Sequence, residues 1–181
     1  MKRLILLPVL MFGLSFACDR PYEEVAGIKI GCSVSDVANL NEYTIPEEYQ
    51  YSDFEENLII YQKEVEGEIF QFIYIGTLND VVHMVDLINY IDISEDQLNQ
   101  VINGHIEEFG EPIDVQTIDE DVTNMTFKGR VPVAESLLSY RSPYRGPSSS
   151  VSDEKTFRFG ISYRTKEMVE ISKIVRERNS Y

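Results

Sequence analysis

Residues that commonly carry catalysis or bind transition metals are scarce in this chain. There are two cysteines and two histidines. His83 lies in an apolar strand pattern and His105 on the apolar side of a helical pattern, which is typical of structural histidines rather than metal ligands. The sequence contains no serine-hydrolase elbow, zinc-peptidase, C-x-x-C, P-loop or dinucleotide-binding motif. We therefore expect no metal, no cofactor and no nucleophilic catalysis.

Acidic side chains are the remaining candidates for chemistry. Paired carboxylates support acid–base catalysis or glycoside cleavage when their separation is right and one pKa is raised. Such groups occur at Glu47–Glu48, at Asp53 with Glu55 and Glu56, and at Asp119–Asp121. They are expected by chance in so acidic a chain and most fall in predicted loops, so solvated loop charge is the better interpretation.

Asp86 is different because it interrupts the apolar strand pattern from Val81 to Ile88. We expect it either to face solvent or to pair with a basic residue such as Arg158. Pairing would join an acidic and a basic region of the chain.

The first 18 residues predict export across a membrane. Met1–Arg3 is a positive start, and the apolar run Leu4–Phe16 is too short to span a bilayer but fits the core of a signal peptide. Leu14–Cys18 resembles a bacterial lipobox, which predicts that Cys18 is acylated, with a chain such as palmitate, and becomes the first residue. The alternative is an ordinary signal peptide that ends beside a cysteine.

Three segments follow from this interpretation. They are a lipoprotein signal peptide (residues 1–17), a short lipid-anchored tether (18–26) and a single domain (27–181), held outside the cytoplasm at the periplasmic face of the cell envelope. If the lipid occupies Cys18, Cys32 has no intramolecular partner. Because Cys32 follows an apolar strand pattern, we expect a buried structural thiol, the alternative being a reactive thiol.

Charge is unevenly distributed along the chain, whose formal net charge is −15. Residues 18–127 contain 3 basic and 25 acidic residues, whereas residues 128–181 contain 11 basic and 6 acidic residues. So negative a chain repels nucleic acid and anionic lipid headgroups, which makes both poor partners. Either the two regions pair within the fold, or an acidic face remains for a basic protein partner.

Apolar periodicity predicts an α+β fold of antiparallel sheets with helices packed on one side. A short strand at Ile28–Ile30 and a short helix through Leu40 precede a three-strand meander. A capping box at Ser94 and Gln97 then begins an amphipathic helix that ends at Gly110. The element order suggests two successive α-β-β-β units. The predicted later elements are Leu58–Val65, Ile69–Ile75, Val81–Tyr90, Ile113–Ile118, Val122–Lys128, Leu137–Tyr140 and Thr156–Tyr163, with 166–178 either helix or strand.

Two loops are candidates for contact with a partner. The segment from Arg141 to Pro147 combines arginine and tyrosine, which are enriched at binding hot spots, with prolines that stiffen a loop. The second is the acidic turn between two predicted strands. The candidate partner-binding residues are Arg141, Tyr144 and Arg145 in the first loop and Asp119, Glu120 and Asp121 in the second.

Two short motifs resemble those of a known family. Gly27–Val37 has the order strand, glycine, small polar cap and helix, and Phe109–Pro112 has the helix exit Phe-Gly-Glu-Pro. Both resemble the SmpA/OmlA (BamE-like) group of small envelope lipoproteins, although the motifs lie much further apart here. The resemblance implies an α+β sandwich that serves as an accessory or scaffold in the envelope, without catalysis.

These observations support three functional hypotheses. The preferred one is a lipid-anchored envelope protein that binds another envelope or exported protein without catalysis. The first alternative is an acidic immunity-type lipoprotein that neutralises a basic exported toxin. The second alternative is a carboxylate-dependent hydrolase.

Overall fold

The computed structural model describes Cys18 and residues 22–46, 57–67, 69–119, 122–142 and 156–179. Within these residues the protein has ten β-strands and two α-helices. Every strand pairing is antiparallel. The predicted α+β class is therefore confirmed.

The described domain begins with a small hairpin. Strands β1 (Glu23–Val25) and β2 (Ile28–Ile30) are joined by Ala26 and Gly27, both with positive φ, as a tight two-residue turn requires. Val25, Ile28 and Ile30 are buried. Glu23–Val25, which the sequence analysis assigned to the tether, form a strand whose residue Val25 joins the core.

The stretch after β2 does not form the predicted helix through Leu40. It forms two 3-10 turns, Val34–Asp36 and Leu40–Glu42. The Ser33 hydroxyl accepts a hydrogen bond from the Ser35 backbone N–H, so the cap is present. The extended backbone at Val37, with φ of −71° and ψ of 118°, ends the first turn, and so short a helix has little stability of its own.

The predicted three-strand meander is confirmed. Strands β3 (Leu58–Glu64), β4 (Phe72–Leu78) and β5 (Val81–Ile88) pair in sequence order. Asn79 and Asp80 both have positive φ and make the two-residue turn between β4 and β5.

Strand β6 (Ile93–Ser94) leads into helix α1 (Glu95–Phe109). The capping box is confirmed, because the Ser94 hydroxyl accepts from the Gln97 backbone N–H and the Gln97 side-chain Oε1 accepts from the Ser94 backbone N–H at 2.9 Å. Gly110, with φ of 85°, ends the helix, and its N–H donates to the Ile106 carbonyl. Local sequence thus fixes both ends of α1.

The second half of the chain is three strands, a long return strand and a helix. The 166–178 segment is a helix, and the ninth strand is longer than predicted because pairing on both sides extends it. The elements are β7 (Asp114–Asp119), β8 (Val122–Lys128), β9 (Val133–Arg141), β10 (Thr156–Thr165) and α2 (Lys166–Asn179).

One continuous sheet joins both halves. Its order is β3-β4-β5-β10-β9-β8-β7, and β6 also pairs with β10. The last strand, β10, lies in the middle of the sheet between β5 and β9. The suggested arrangement as two successive α-β-β-β units is therefore not seen.

The helices pack on opposite faces of this sheet, so the prediction that they share one side is wrong. Successive side chains of β10 point to opposite faces of the sheet, and each set packs with a different helix. Phe159, Ile161 and Tyr163 belong to the core that contains α1, and this side is called the α1 face. Residues 160, 162 and 164 project to the other side, the α2 face, where Met168 of α2 packs on Leu58 and Ile60.

A disulfide bond joins Cys18 to Cys32, whose Cα atoms are 5.6 Å apart. Cys32 is 2 % exposed, which confirms its burial, but the expectation of an unpaired thiol is wrong. A sulfur atom cannot carry both this bond and a lipid thioether. The disulfide-bonded chain and a chain acylated on Cys18 are therefore alternative covalent forms.

Candidate functional site

The middle of the α2 face carries buried polar side chains. Arg164 of β10 is 6 % exposed, and its Nη2 lies 3.2 Å from Glu135 Oε1 on the neighbouring strand. Asp86 of β5 stands opposite Ser162 in register. Burial raises the pKa of Asp86 to about 6, although a hydrogen bond with Ser162 and the charge of Arg164 both act to lower it. Asp86 Oδ1 is buried and has no hydrogen-bond partner.

This geometry decides between the two alternatives for Asp86. Its Oδ1 atom does not face solvent, and the nearby basic residue is Arg164 rather than Arg158. Arg158 lies four residues before Ser162, the β10 residue opposite Asp86, and its Nε donates to Asp92 Oδ1 at 2.6 Å. Four residues along a strand span roughly 13 Å, so Arg158 is out of reach of Asp86.

A polar cavity of about 130 Å³ lies between α2 and strands β7, β8 and β9. Asn124 contributes a buried Oδ1 without a hydrogen-bond partner. The two carboxylates on the wall, Asp114 and Glu135, come from different strands, and Asp86 is not part of it. The lining is formed by Asp114, Gln116, Asn124, Thr126, Glu135, Leu137, Arg164, Val169, Ser172 and Lys173.

A second and larger cavity is a groove of about 320 Å³. It lies on the α2 face at the opposite end of the strands from α2, where β10 begins and β5 and β9 end. Its walls are largely apolar, with two arginines among them. The lining is formed by Ile88, Asn89, Tyr90, Val122, Ser139, Tyr140, Arg141, Arg158, Phe159 and Gly160.

The structure brings two of the predicted partner-binding positions to the same end of the sheet. Asp119 pairs with Val122, and Val122 pairs with Arg141 across the next strand. Arg141 lines the groove. Tyr144 and Arg145, with Glu120 and Asp121 of the acidic turn, lie outside the described residues, as do the carboxylates of residues 47–48 and 53–56. Sequence reasoning named Arg141 but missed the groove.

The edge of the sheet at β7 is open. Residues 114–118 are all exposed, and the apolar side chains of Ile113, Val115 and Ile118 are 65 %, 53 % and 59 % exposed. No lysine, arginine or proline interrupts positions 113–118. Natural edge strands are usually shielded by such residues, because their free N–H and C=O groups can pair with another chain.

The other edge, at β3, is covered. Thr44 and Gln62 exchange two backbone hydrogen bonds of 2.8 and 2.7 Å. Lys63 forms an ion pair with Glu42 and lies over the Tyr43 ring. The segment before β3 therefore satisfies part of this edge, whereas no described segment pairs with the outer edge of β7.

Both histidines lie in the packed, hydrogen-bonded surroundings of structural residues, as expected. His105 is 4 % exposed between aromatic rings, with Nε2 2.8 Å from Ser136 Oγ. Burial lowers the pKa of His105 to about 4. His83 Nδ1 lies 2.8 Å from Thr165 Oγ1, and burial lowers its pKa while the charge of Glu167 acts to raise it.

Across the described parts of the chain, no group of three or more His, Cys, Asp or Glu side chains could hold a metal ion. None of the helices in those parts is long and apolar enough to cross a membrane.

The fold and its sites define an antiparallel α+β protein with an open sheet edge and a basic groove. Comparison with protein-family models, with curated proteins and with solved structures finds no match for this chain.

Proposed function

We propose that this chain is an exported protein of the bacterial envelope that binds another protein through strand β7 and does not catalyse a reaction. The open, apolar edge of β7 is the observation that carries this proposal. An extended segment of a partner can add to such an edge, where main-chain hydrogen bonds supply affinity and alternate side chains supply specificity.

The two sides of β7 call for different side chains in the added strand. On the α1 face it would meet the exposed Val115, and on the α2 face it would meet Asp114 and Gln116 at the rim of the polar cavity. Gln116 Nε2 donates to Asp114 Oδ2 at 2.7 Å, so these two residues form one polar surface. The expected partner strand alternates apolar residues with basic or hydrogen-bonding ones.

Charge favours a basic partner strand over a second copy of this chain. Residues 111–127 contain five acidic residues and no basic one. Antiparallel pairing of two β7 strands about their midpoint would place Asp114 opposite Asp119, and like charges directly opposite destabilise a sheet. The same charge would suit a basic toxin, so the immunity-type alternative is the same binding mode with that partner.

Membrane attachment is proposed through a lipid on Cys18, with the Cys18–Cys32 disulfide as the competing form. Both forms need export, because disulfides persist in oxidising compartments. If the lipid is present, Cys18→Ser should release the protein from membranes while Cys32→Ser leaves it bound. A wild-type chain that is soluble, and whose mobility changes on reduction, would contradict the anchor but leave the binding proposal intact.

Site-specific photocrosslinking in the native envelope tests the binding mode. A photoreactive residue at Ile118 should form a crosslink to one extended, basic segment of a partner. The same residue at Ile69, which is comparably exposed at 55 %, should not. Peptide mass spectrometry then identifies the crosslinked segment, and light scattering reports any self-association.

Matched charge variants provide the control. Ile113→Lys with Val115→Lys places two charges on the open edge and should abolish the crosslink. Ile45→Lys with Ile69→Lys adds the same charge at exposed apolar positions elsewhere and should leave it unchanged. Equal crosslinking by both pairs, or a crosslink to a second copy, would overturn the proposed binding mode.

A further inference from the structure

The groove at the start of β10 has the size of a small-molecule site. Its volume of about 320 Å³ lies at the lower end of the range for ligand pockets, roughly 300–1,000 Å³. Gly160, which has no side chain, forms part of its wall. The positions that face it on β5 and β9 do carry side chains. A Cβ atom at Gly160 would lie 2.9 Å from Ile88 Cδ1, so any larger residue would push that side chain aside.

Two arginines lie at the rim of this groove, in an arrangement that favours the binding of an anion. Arg141 and Arg158 are directly opposite each other on β9 and β10, and both project to the α2 face. Like charges in such a cross-strand pair repel. Asp92 neutralises Arg158 at 2.6 Å, but Arg141 has no ion pair among the described residues. The rim therefore carries an arginine that no described carboxylate pairs with, in a chain of net charge −15.

Asn89 adds a second, independent indication of a ligand. This residue lines the groove, yet it is only 1 % exposed. Its Nδ2 donates to the Ile69 carbonyl and its backbone N–H to the Phe159 carbonyl, which fix its position. Its Oδ1 is buried without a hydrogen-bond partner. A buried acceptor left unpaired costs free energy, about 1–3 kcal/mol, that a ligand donor can recover.

We propose that this groove binds a small amphipathic carboxylate. The apolar body lies along Ile88, Val122 and Gly160, and the carboxylate reaches Arg141 and Arg158. An N–H or O–H group of the ligand donates to Asn89 Oδ1. This site is separate from strand β7 and does not depend on the proposed partner binding.

Calorimetric titration of the purified mature chain with indole-3-propionate tests the proposal. This probe combines an apolar ring, one N–H donor and a carboxylate. Its neutral analogue, indole-3-propanol, should bind at least about tenfold more weakly, because a charge-assisted contact is lost. In a ¹H–¹⁵N spectrum the amides of Asn89 and Gly160 should shift on addition of the acid.

Four variants locate the site. Arg141→Gln should weaken binding of indole-3-propionate about tenfold, and Gly160→Ala should weaken it because Ile88 is displaced into the groove. Arg130→Gln and Gly104→Ala make the same chemical changes elsewhere and should bind as the wild type does. Absence of binding by the wild type, equal binding of the neutral analogue, or equal loss in the control variants would overturn the proposal.

Discussion

Each face of the central sheet is covered by one helix, but the two coverings differ. On the α1 face, α1 and the β1–β2 hairpin enclose a continuous apolar core in which Phe127 and Leu138 are 0 % exposed. On the α2 face, α2 covers a smaller cluster of Leu58, Ile60 and Met168. The polar cavity and the ion pair of Arg164 lie next to α2 on this face, and the groove lies on the same face beyond the end that α2 covers.

This difference indicates where buried polar side chains lower the stability of the protein. Buried polar atoms without partners are destabilising, because they have lost their hydrogen bonds to water. Asp86 and Asn124 present such oxygen atoms on the α2 face, and Asn89 presents one at the groove.

Two adjacent leucines give the largest contrast between the faces. Leu138→Ala removes a fully buried side chain from the α1 face and should lower the unfolding free energy by about 2–5 kcal/mol. Leu137→Ala, at the wall of the polar cavity, should cost only about 1 kcal/mol, because water already reaches that region. Urea unfolding measures both, and similar losses would show that the α2 face is also a closed core.

Reduction of the disulfide should act on the closed face, because Cys32 is buried beside the β1–β2 hairpin. A cross-link between cysteines separated by 14 residues is expected to contribute about 3 kcal/mol. Thermal melting with and without dithiothreitol measures this contribution. The Cys18→Ser variant is the control and should be indifferent to the reductant. An equally indifferent wild type would mean that the disulfide does not form.

The buried titratable groups of the two faces should give opposite pH dependences. The pKa of Asp86 is raised to about 6, so folding favours its protonated form and stability falls as pH rises from about 4 to 6. The pKa of His105 is lowered to about 4, so stability falls as pH drops from 6.5 towards 4. Each contribution amounts to at most about 3 kcal/mol over its window.

Two variants separate these contributions. Relative to the wild type, Asp86→Asn should gain stability as pH rises from 4 to 6. His105→Gln should instead gain relative stability as pH falls through the same range. Urea unfolding at several pH values measures both differences, and slopes of the same sign would contradict the assigned environments.

Two glycine substitutions should have the smallest effect on the unfolding free energy. Their comparison reports how much of the α2 face the helix covers. Gly76→Ala brings a Cβ within 3.1 Å of methionine atoms beneath α2 and should cost about 1 kcal/mol. Gly160→Ala lies outside the cover of α2, where Ile88 can move into the groove, and should change stability by less than about 0.5 kcal/mol. A reversed order would mean that the groove is the more tightly packed region.

Predictions from sequence succeeded where the determining interactions are local. The capping box of Ser94 and Gln97 and the stop at Gly110 lie within one helix and fixed its limits. The turn at Asn79 and Asp80 likewise fixed the β4–β5 hairpin. The prediction of a helix through Leu40 was wrong, because the extended backbone at Val37 ends it after a single 3-10 turn.

The candidate sites could be predicted only in part. Arg141 was identified from its residue type, but Gly160, Asn89 and Arg158 come from separate segments whose proximity depends on the central position of β10. The openness of β7 was equally hidden, since the same alternation of residues would suit a paired strand. A binding role of Asn89 could not be recognised from the sequence, because an asparagine that follows a strand is usually a turn residue.

By itself, the sequence determined the strong acidity, the α+β class and the limits of α1. These depend on composition or on residues a few positions apart. Only the tertiary structure decided that β10 joins the two meanders, that the helices lie on opposite faces, and that Cys18 meets Cys32. Such pairings depend on which apolar surfaces can be buried together across the whole chain, and no local pattern encodes that choice.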